Sequence, residues 1–371
     1  MIRMRAFIGS LPGLLVAAPL ALGSAVPGRA QDAAPWPDPG PPATRDLFPL
    51  NLPLLTYRPV AAPTVGKGQW RVSVQVTEEN TFEFSDPIKD LLAHDTQGRI
   101  SPTLAGAQQV ALSMPDAPLL FFFDGEVTRT DLSARYGLSD STDLALVLTW
   151  QRDGGGFLDS LIEGFHKLGF EQTGREAIAR DQLTFTAIQK GKVIFFTQEA
   201  LRAKFEDPTL ALIHRFHESG RWTFSFMGVM KFPLTREFGH YQSDWDSSLA
   251  LLGQWRPSGN QVVDMGFAYV RRGLKDYTGD PFFIKDQIAG HIGWEWRGWS
   301  RVRPFLVIVG QSGLAPPVQG DKLDKPSFIH DLGVHVRIGE RSALTFSYIN
   351  NITHNENTAD MGFALRLTVR P

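Results

Sequence analysis

His214 and His217 are the closest pair of imidazoles in the chain, and imidazole is the side chain best suited to holding a metal or moving a proton near neutral pH. They stand three residues apart in a stretch that alternates like a strand. Their rings therefore point to opposite faces and cannot share one ion. His330 and His335 have the same odd spacing. His240-Tyr241-Gln242-Ser243 brings a serine near a histidine, the start of an acyl-transfer site. That chemistry also needs an orienting acid and an oxyanion hole, and only Asp244 and Asp246 lie close by in sequence. Gly154-Gly155-Gly156 opens a loop and lacks the strand-to-helix setting of a phosphate cradle. There is no cysteine, which excludes thiol nucleophiles, thiolate metal sites and disulfides. No catalytic residue, metal or cofactor is implied.

The charges that remain are spread along alternating stretches. Met361, Phe363, Leu365, Leu367 and Val369 form an apolar row against Gly362, Ala364, Arg366 and Thr368. Trp70 to Thr77, Thr142 to Gln151, Arg221 to Lys231, Gln287 to Arg297 and Asp331 to Ile338 repeat the pattern. In a soluble sandwich the apolar face is the inside; in a membrane barrel the assignment reverses. Two features favour the barrel. Short turns at Glu218-Ser219-Gly220, Pro257 to Asn260, Arg297-Gly298 and Gly339 to Arg341 alternate with long connectors. Trp70, Trp222, Trp255, Trp294, Trp296 and Trp299 also gather at the short-turn ends, as in an interfacial aromatic girdle.

The fold expected is therefore all-β: a transmembrane antiparallel β-barrel of about 14 strands, or about 12 if the hairpin through Gln189-Lys190-Gly191-Lys192 caps a loop. It occupies residues 69–371. Residues 1–30 read as a signal peptide, with Arg3 and Arg5 ahead of a short apolar core and Gly28 and Ala30 before a cut. Residues 31–68 are a proline-rich linker followed by an apolar segment. In that segment Pro49, Pro53 and Pro59 forbid a helix interior and a central strand alike. An apolar stretch that can be neither should lie against something, such as the mouth or the inside of the barrel.

In this register the inward rows carry Arg71, Arg129, Asp131, Arg135, Arg215, His291, Glu295, Arg301, Arg303, Asp331, His335, Arg337 and Arg366. Buried charges must be paired or hydrated, so the lumen either holds water or is crossed by ion pairs. An excess of arginine in an open pore favours anionic solutes. The net charge of −2 offers nothing to a nucleic acid.

Gly154 to Arg180 is the longest internal loop, and Phe157, Leu158, Leu161, Ile162 and Phe165 give it an amphipathic helix. Phe165-His166-Lys167-Leu168-Gly169-Phe170, then Gly174-Arg175-Glu176, resembles an uncharacterised family of bacterial outer-membrane barrels, a domain of unknown function. Phe48-Pro49-Leu50-Asn51-Leu52-Pro53-Leu54 resembles it too, and the likeness spans roughly residues 46–371. The resemblance implies a β-barrel in the outer membrane of a Gram-negative bacterium and brings no catalytic residues. The chain departs from most such barrels in ending Val369-Arg370-Pro371, with no final aromatic residue.

Three functions fit this frame: a passive channel or small-solute transporter, a lipid hydrolase at the outer rim using His240 and Ser243, or a structural and adhesive barrel. Phe165, His166 and Arg175 are the outer-loop residues expected to contact a partner. The expected partners are outer-membrane lipid, the outer-membrane assembly machinery and a small solute.

Overall fold

The structure is a computed structural model that describes residues 36, 38–88, 102–117, 119–166, 175, 178–234, 237–238, 241–273, 284–316, 322–353 and 357–371. Twelve antiparallel strands close on themselves: β1 Trp70–Phe84, β2 Leu120–Gly137, β3 Thr142–Gly154, β4 Thr209–Ser219, β5 Trp222–Lys231, β6 Asp246–Ser258, β7 Gln261–Arg271, β8 Gln287–Trp296, β9 Val302–Gln311, β10 Ser327–Arg337, β11 Ser342–Asn351 and β12 Met361–Val369. Each pairs with its sequence neighbour, and β1 pairs with β12 from Val72↔Val369 to Asn80↔Met361, which shuts the cylinder. Closure removes the strand edges of an open sheet along the paired part of these twelve strands. The tight connections lie at one end and the long ones at the other, called here the turn end and the loop end.

The side chains invert the pattern of a soluble core. Leu249 is 74 % exposed and Phe267 61 % exposed, both on the outer wall, and Phe226, Ile292, Leu332, Phe346 and Leu365 are exposed with them. Gln254, Asp331, His335, Thr345 and Arg366 alternate with this row and are buried on the inner wall. Strand alternation alone produces the sorting, since successive side chains leave opposite faces. Trp70, Trp222, Trp294 and Trp299 are exposed at the turn end, and Trp222 stacks on Trp255 at 5.6 Å.

The barrel has twelve strands, and the hairpin assigned to a count of fourteen lies outside it. Thr184–Gln189 and Lys192–Thr197 form that hairpin. It does not join the wall between β3 and β4, which pair directly from Thr142↔His214 to Val147↔Thr209. The reason lies in β1 and β2, which run past the closed part of the wall at the loop end. β3 leaves β2 at Glu126↔Gly154, and the hairpin takes its place over Leu120–Asp124. Gly156 turns the chain away with φ +64°, a conformation in which glycine carries no steric cost.

This overhang has two apolar faces. The one continuing the inner wall brings Phe121 and Phe123 against Leu183 and Phe185. The other sets Phe82, Phe84, Phe122 and Ile188 beneath α1, Leu104–Ser113, which is capped by Thr103 Oγ1 accepting from Gly106 N at 3.1 Å. A second helix, α2 at Asp159–His166, lies against the outer wall. Ile162 and the preceding Leu158 bury there against Met361, while Phe157 and Leu161 are exposed.

Candidate functional site

The bore is occupied. Trp36 and residues 38–66, whose stretch 46–59 the prolines bar from a helix interior and a central strand, enter at the turn end, rise to the loop end, reverse and descend to β1. The rising limb is tied by Trp36 Nε1 donating to Ser300 O at 3.0 Å and by an Arg297–Asp38 pair at 3.1 Å. Higher up, Arg366 donates to the carbonyls of Gly40 and Pro41 at 2.9 and 3.0 Å, and Thr44 donates to Asp331.

The reversal is a single 3-10 turn, Pro49–Asn51. Phe48 and Leu54 fill the aromatic chamber of Phe121, Phe123 and Phe185, with Phe48 meeting Phe123 edge-on at 5.5 Å. Two side chains carry most of the polar bonding of the turn. Arg45 Nη2 donates to the carbonyls of Asn51, Leu52 and Leu54 at 2.6 to 2.9 Å. Asp46 accepts from Phe48 N, Asn51 Nδ2, Gln311 Nε2 and Ala359 N at 2.5 to 3.1 Å. Those four donors would be buried without partners in an Asp46→Ala chain, at ~1–3 kcal/mol for each one not rescued by water. Such a chain should unfold at a clearly lower temperature than wild type, whereas Leu112→Ala, on the exposed side of α1, should leave the transition nearly unchanged.

The descending limb is held by Leu55 N donating to Asp246 at 2.6 Å and by an Arg58–Asp131 pair at 3.3 Å. Below these, Ser225 Oγ donates to Ala62 O at 2.6 Å and Arg135 Nη2 to Pro63 O at 2.8 Å. The Tyr57 hydroxyl meets His291 Nδ1 at 2.7 Å, and it can come so close because the wall is bare at Gly266, where a Cβ would collide with that hydroxyl.

The inner-wall residues expected from the register fall into three groups. Arg129, Asp131, Arg135, His291, Glu295, Arg303, Asp331, His335 and Arg366 are buried in the interior. They engage the inner segment or one another: Arg129 holds Asp131 at 3.1 Å and Glu206 at 2.7 Å, and His335 Nδ1 meets Thr345 Oγ1 at 2.8 Å. Arg71, Arg215 and Arg337 are part-buried at the turn-end mouth, where Arg215 pairs with Glu218 and Arg337 Nε donates to Gly339 O at 3.2 Å. Arg301 does not line the bore. It stands exposed in the turn before β9, one residue ahead of the strand that would have turned it inward.

Arg175 sits on the outer wall, donating to Asp159 at 2.6 Å and Asn80 at 2.8 Å with its guanidinium 4.4 Å from the Phe82 ring centroid. The side chains of Phe165 and His166 lie outside the described residues, as does His240. Ser243 accepts from Lys231 Nζ at 2.9 Å and donates to Asp207, and Lys231 also pairs with Asp246 at 3.0 Å. These bonds tie the end of β5 to the connectors on either side of it. Among the described residues no cluster of acidic or histidine side chains has the form of a metal site.

A closed wall, greasy outside and ionised inside, defines a transmembrane β-barrel, and here it is one whose bore holds a segment of its own chain. The chain belongs to the family described as "Protein of unknown function (DUF3187)", whose model matches residues 106–370. The match begins after the inner segment and β1. No curated protein matches. Among solved structures, the COG4313 outer membrane channel from Pseudomonas putida F1 is similar at 9 % identity and a TM-score of 0.52, over 85 % of this chain and 100 % of that one. The NanC porin aligns at 7 % identity and a TM-score of 0.40, over 66 % of this chain and 93 % of the porin. At these identities the first likeness concerns the fold alone.

Proposed function

We propose that the protein is an outer-membrane channel for small solutes, held shut by its own N-terminal segment. The observation that carries the reading is the path of residues 36–66: in and out at the same end, bonded to the wall mainly through side chains, and withdrawable without threading a loop. A barrel that needed only a filled core could use its own inward side chains, as small barrels do. This one is filled by a removable part.

The exposed apolar band, with Phe157 and Leu161 beside it, suits outer-membrane lipid. The tryptophan row suits a membrane–water interface, and the short turns beside it support a turn end on the periplasmic side. Export through a signal peptide at residues 1–30 and insertion by the outer-membrane assembly machinery complete the reading for a Gram-negative cell. The shared fold of a solved outer membrane channel supports it at the level of architecture. The experiment that tests it is a planar-bilayer recording of a chain without the inner segment: ion flow supports the channel, and silence from verified inserts removes it.

A further inference from the structure

The foot of the rising limb stands among arginines. Asp38 Oδ1 is 3.1 Å from Arg297 Nη2, and its carboxyl also feels the charges of Arg71, Arg303 and Arg370. Arg303 lies 3.8 Å from the Trp36 ring centroid, and Arg366 is spent on the carbonyls of Gly40 and Pro41. The strand register gathers these groups. Arg71 faces Arg135 across β1 and β2, and Arg303, His335, Thr345 and Arg366 share one rung of β9 to β12.

The wall neutralises the cluster only in part. Glu295 accepts from Arg297 at 2.8 Å and from Arg303 at 3.4 Å, Asp143 is taken by Arg135 at 2.6 Å, and Asp264 accepts from Gln254 at 2.9 Å. Beside Glu295, Asp331 is the other wall carboxylate that acts on Arg366. The Nε atoms of Arg71, Arg297, Arg303, Arg366 and Arg370 are buried without a hydrogen-bond partner. A buried N–H left unsatisfied is costly, and five arginines each carrying one in the same region are not needed to close a barrel. Beside the ring, a cavity of about 410 Å³ lined by Arg221, Arg256, Gln261 and Arg297 opens at the same mouth. Arginine presents a planar fork that fits carboxylate and phosphate oxygens two at a time.

We propose that this ring is an anion site, taking the carboxylate or phosphate group of a small organic anion once the inner segment withdraws, with Asp38 as its occupant in the closed state. The proposal rests on the channel reading for the anion's natural access, while the ring itself is probed with the segment seated by removing the charge of Asp38. The test uses the full chain in lipid nanodiscs, comparing wild type with Asp38→Asn at constant ionic strength. Inorganic phosphate and succinate are titrated separately, and thermal unfolding is the readout. Asp38→Asn empties the ring of its resident charge and should bind either anion about tenfold more tightly than wild type, a gain removed by adding Arg303→Gln. Phosphate alone stabilising the variant would assign a phosphate site, and succinate alone a carboxylate site.

Equal responses of wild type and Asp38→Asn would overturn the proposal. A second measurement covers an Asp38→Asn chain that fails to fold. The chain lacking residues 36–63 should show a reversal potential favouring anions in a salt gradient, and Arg71→Glu with Arg303→Glu should reverse its sign; a cation preference before those changes would overturn the proposal. The anion gain does not depend on conductance. Its loss in a conducting barrel sinks this site alone, and its presence in a silent one sinks the channel.

Discussion

A chain from which residues 36–63 have been removed is expected to conduct steadily in planar bilayers where the intact chain is silent. The wall does not depend on the missing residues for closure, since β1 begins at Trp70 and finds β12 through its own backbone. Many wall charges also keep partners outside the inner segment: Arg129 with Asp131 and Glu206, Arg135 with Asp143, Lys231 with Asp246, and Arg303 with Glu295. Water can hydrate what the segment leaves bare, which a sealed core would not allow. The aromatic chamber loses Phe48 and Leu54, so the loop end should loosen while the strands hold. Heat-modifiable gel mobility is the folding check. Folded, inserted and silent protein would contradict the account.

The second large effect concerns the outer wall. Phe267→Arg places a cation on a side chain that is 61 % exposed at the middle of β7. If that face meets hydrocarbon, the cost is ~2–4 kcal/mol near the bilayer midplane, and folding into vesicles should fall accordingly. If the face met water, a surface substitution of this kind would fall within about 0.5 kcal/mol of neutral. Urea unfolding from lipid vesicles separates the two outcomes. A neutral Phe267→Arg would mean that the exposed apolar rows have been assigned to the wrong solvent.

The outer wall was the legible part of this molecule. A period of two is a local property, so the row Met361, Phe363, Leu365, Leu367, Val369 can be read from nine residues without knowing their neighbours. The turn-end tryptophans were legible for the same reason, each being beside a short turn or, for Trp70, at the entry to the first strand. Strand number was not, because it depends on a choice of partner. Thr184–Gln189 and Lys192–Thr197 look like any hairpin of the wall, and only the overhang of β1 and β2 gives them somewhere else to pair. Trp70 to Thr77 carries the alternation clearly, and Glu78-Glu79-Asn80 interrupts it, which hid the continuation to Phe84.

The candidate site was legible only in its parts. Register put Arg303, His335 and Arg366 on the inner face, and three prolines showed that residues 46–59 could be neither helix nor strand. What joined the two was invisible. Asp38 meets Arg297 across 259 positions, and Thr44 meets Asp331 across 287. No local signal encodes such a separation, and a bore read from its wall alone looks emptier and more basic than one in which backbone carbonyls already occupy the arginines.

The most direct test of the seated segment is a crosslink, made simple by the absence of native cysteine. Ala62 and Ser225 are both buried, and the serine hydroxyl donates to the alanine carbonyl at 2.6 Å from across the inner wall. Ala62→Cys with Ser225→Cys, folded into lipid and then mildly oxidised, should form an internal bond in nearly every molecule, seen as a mobility shift that reductant reverses. If both thiols instead stay reduced and react freely with a bulky water-soluble maleimide, the segment does not lie in the bore, and the closed channel described above does not exist.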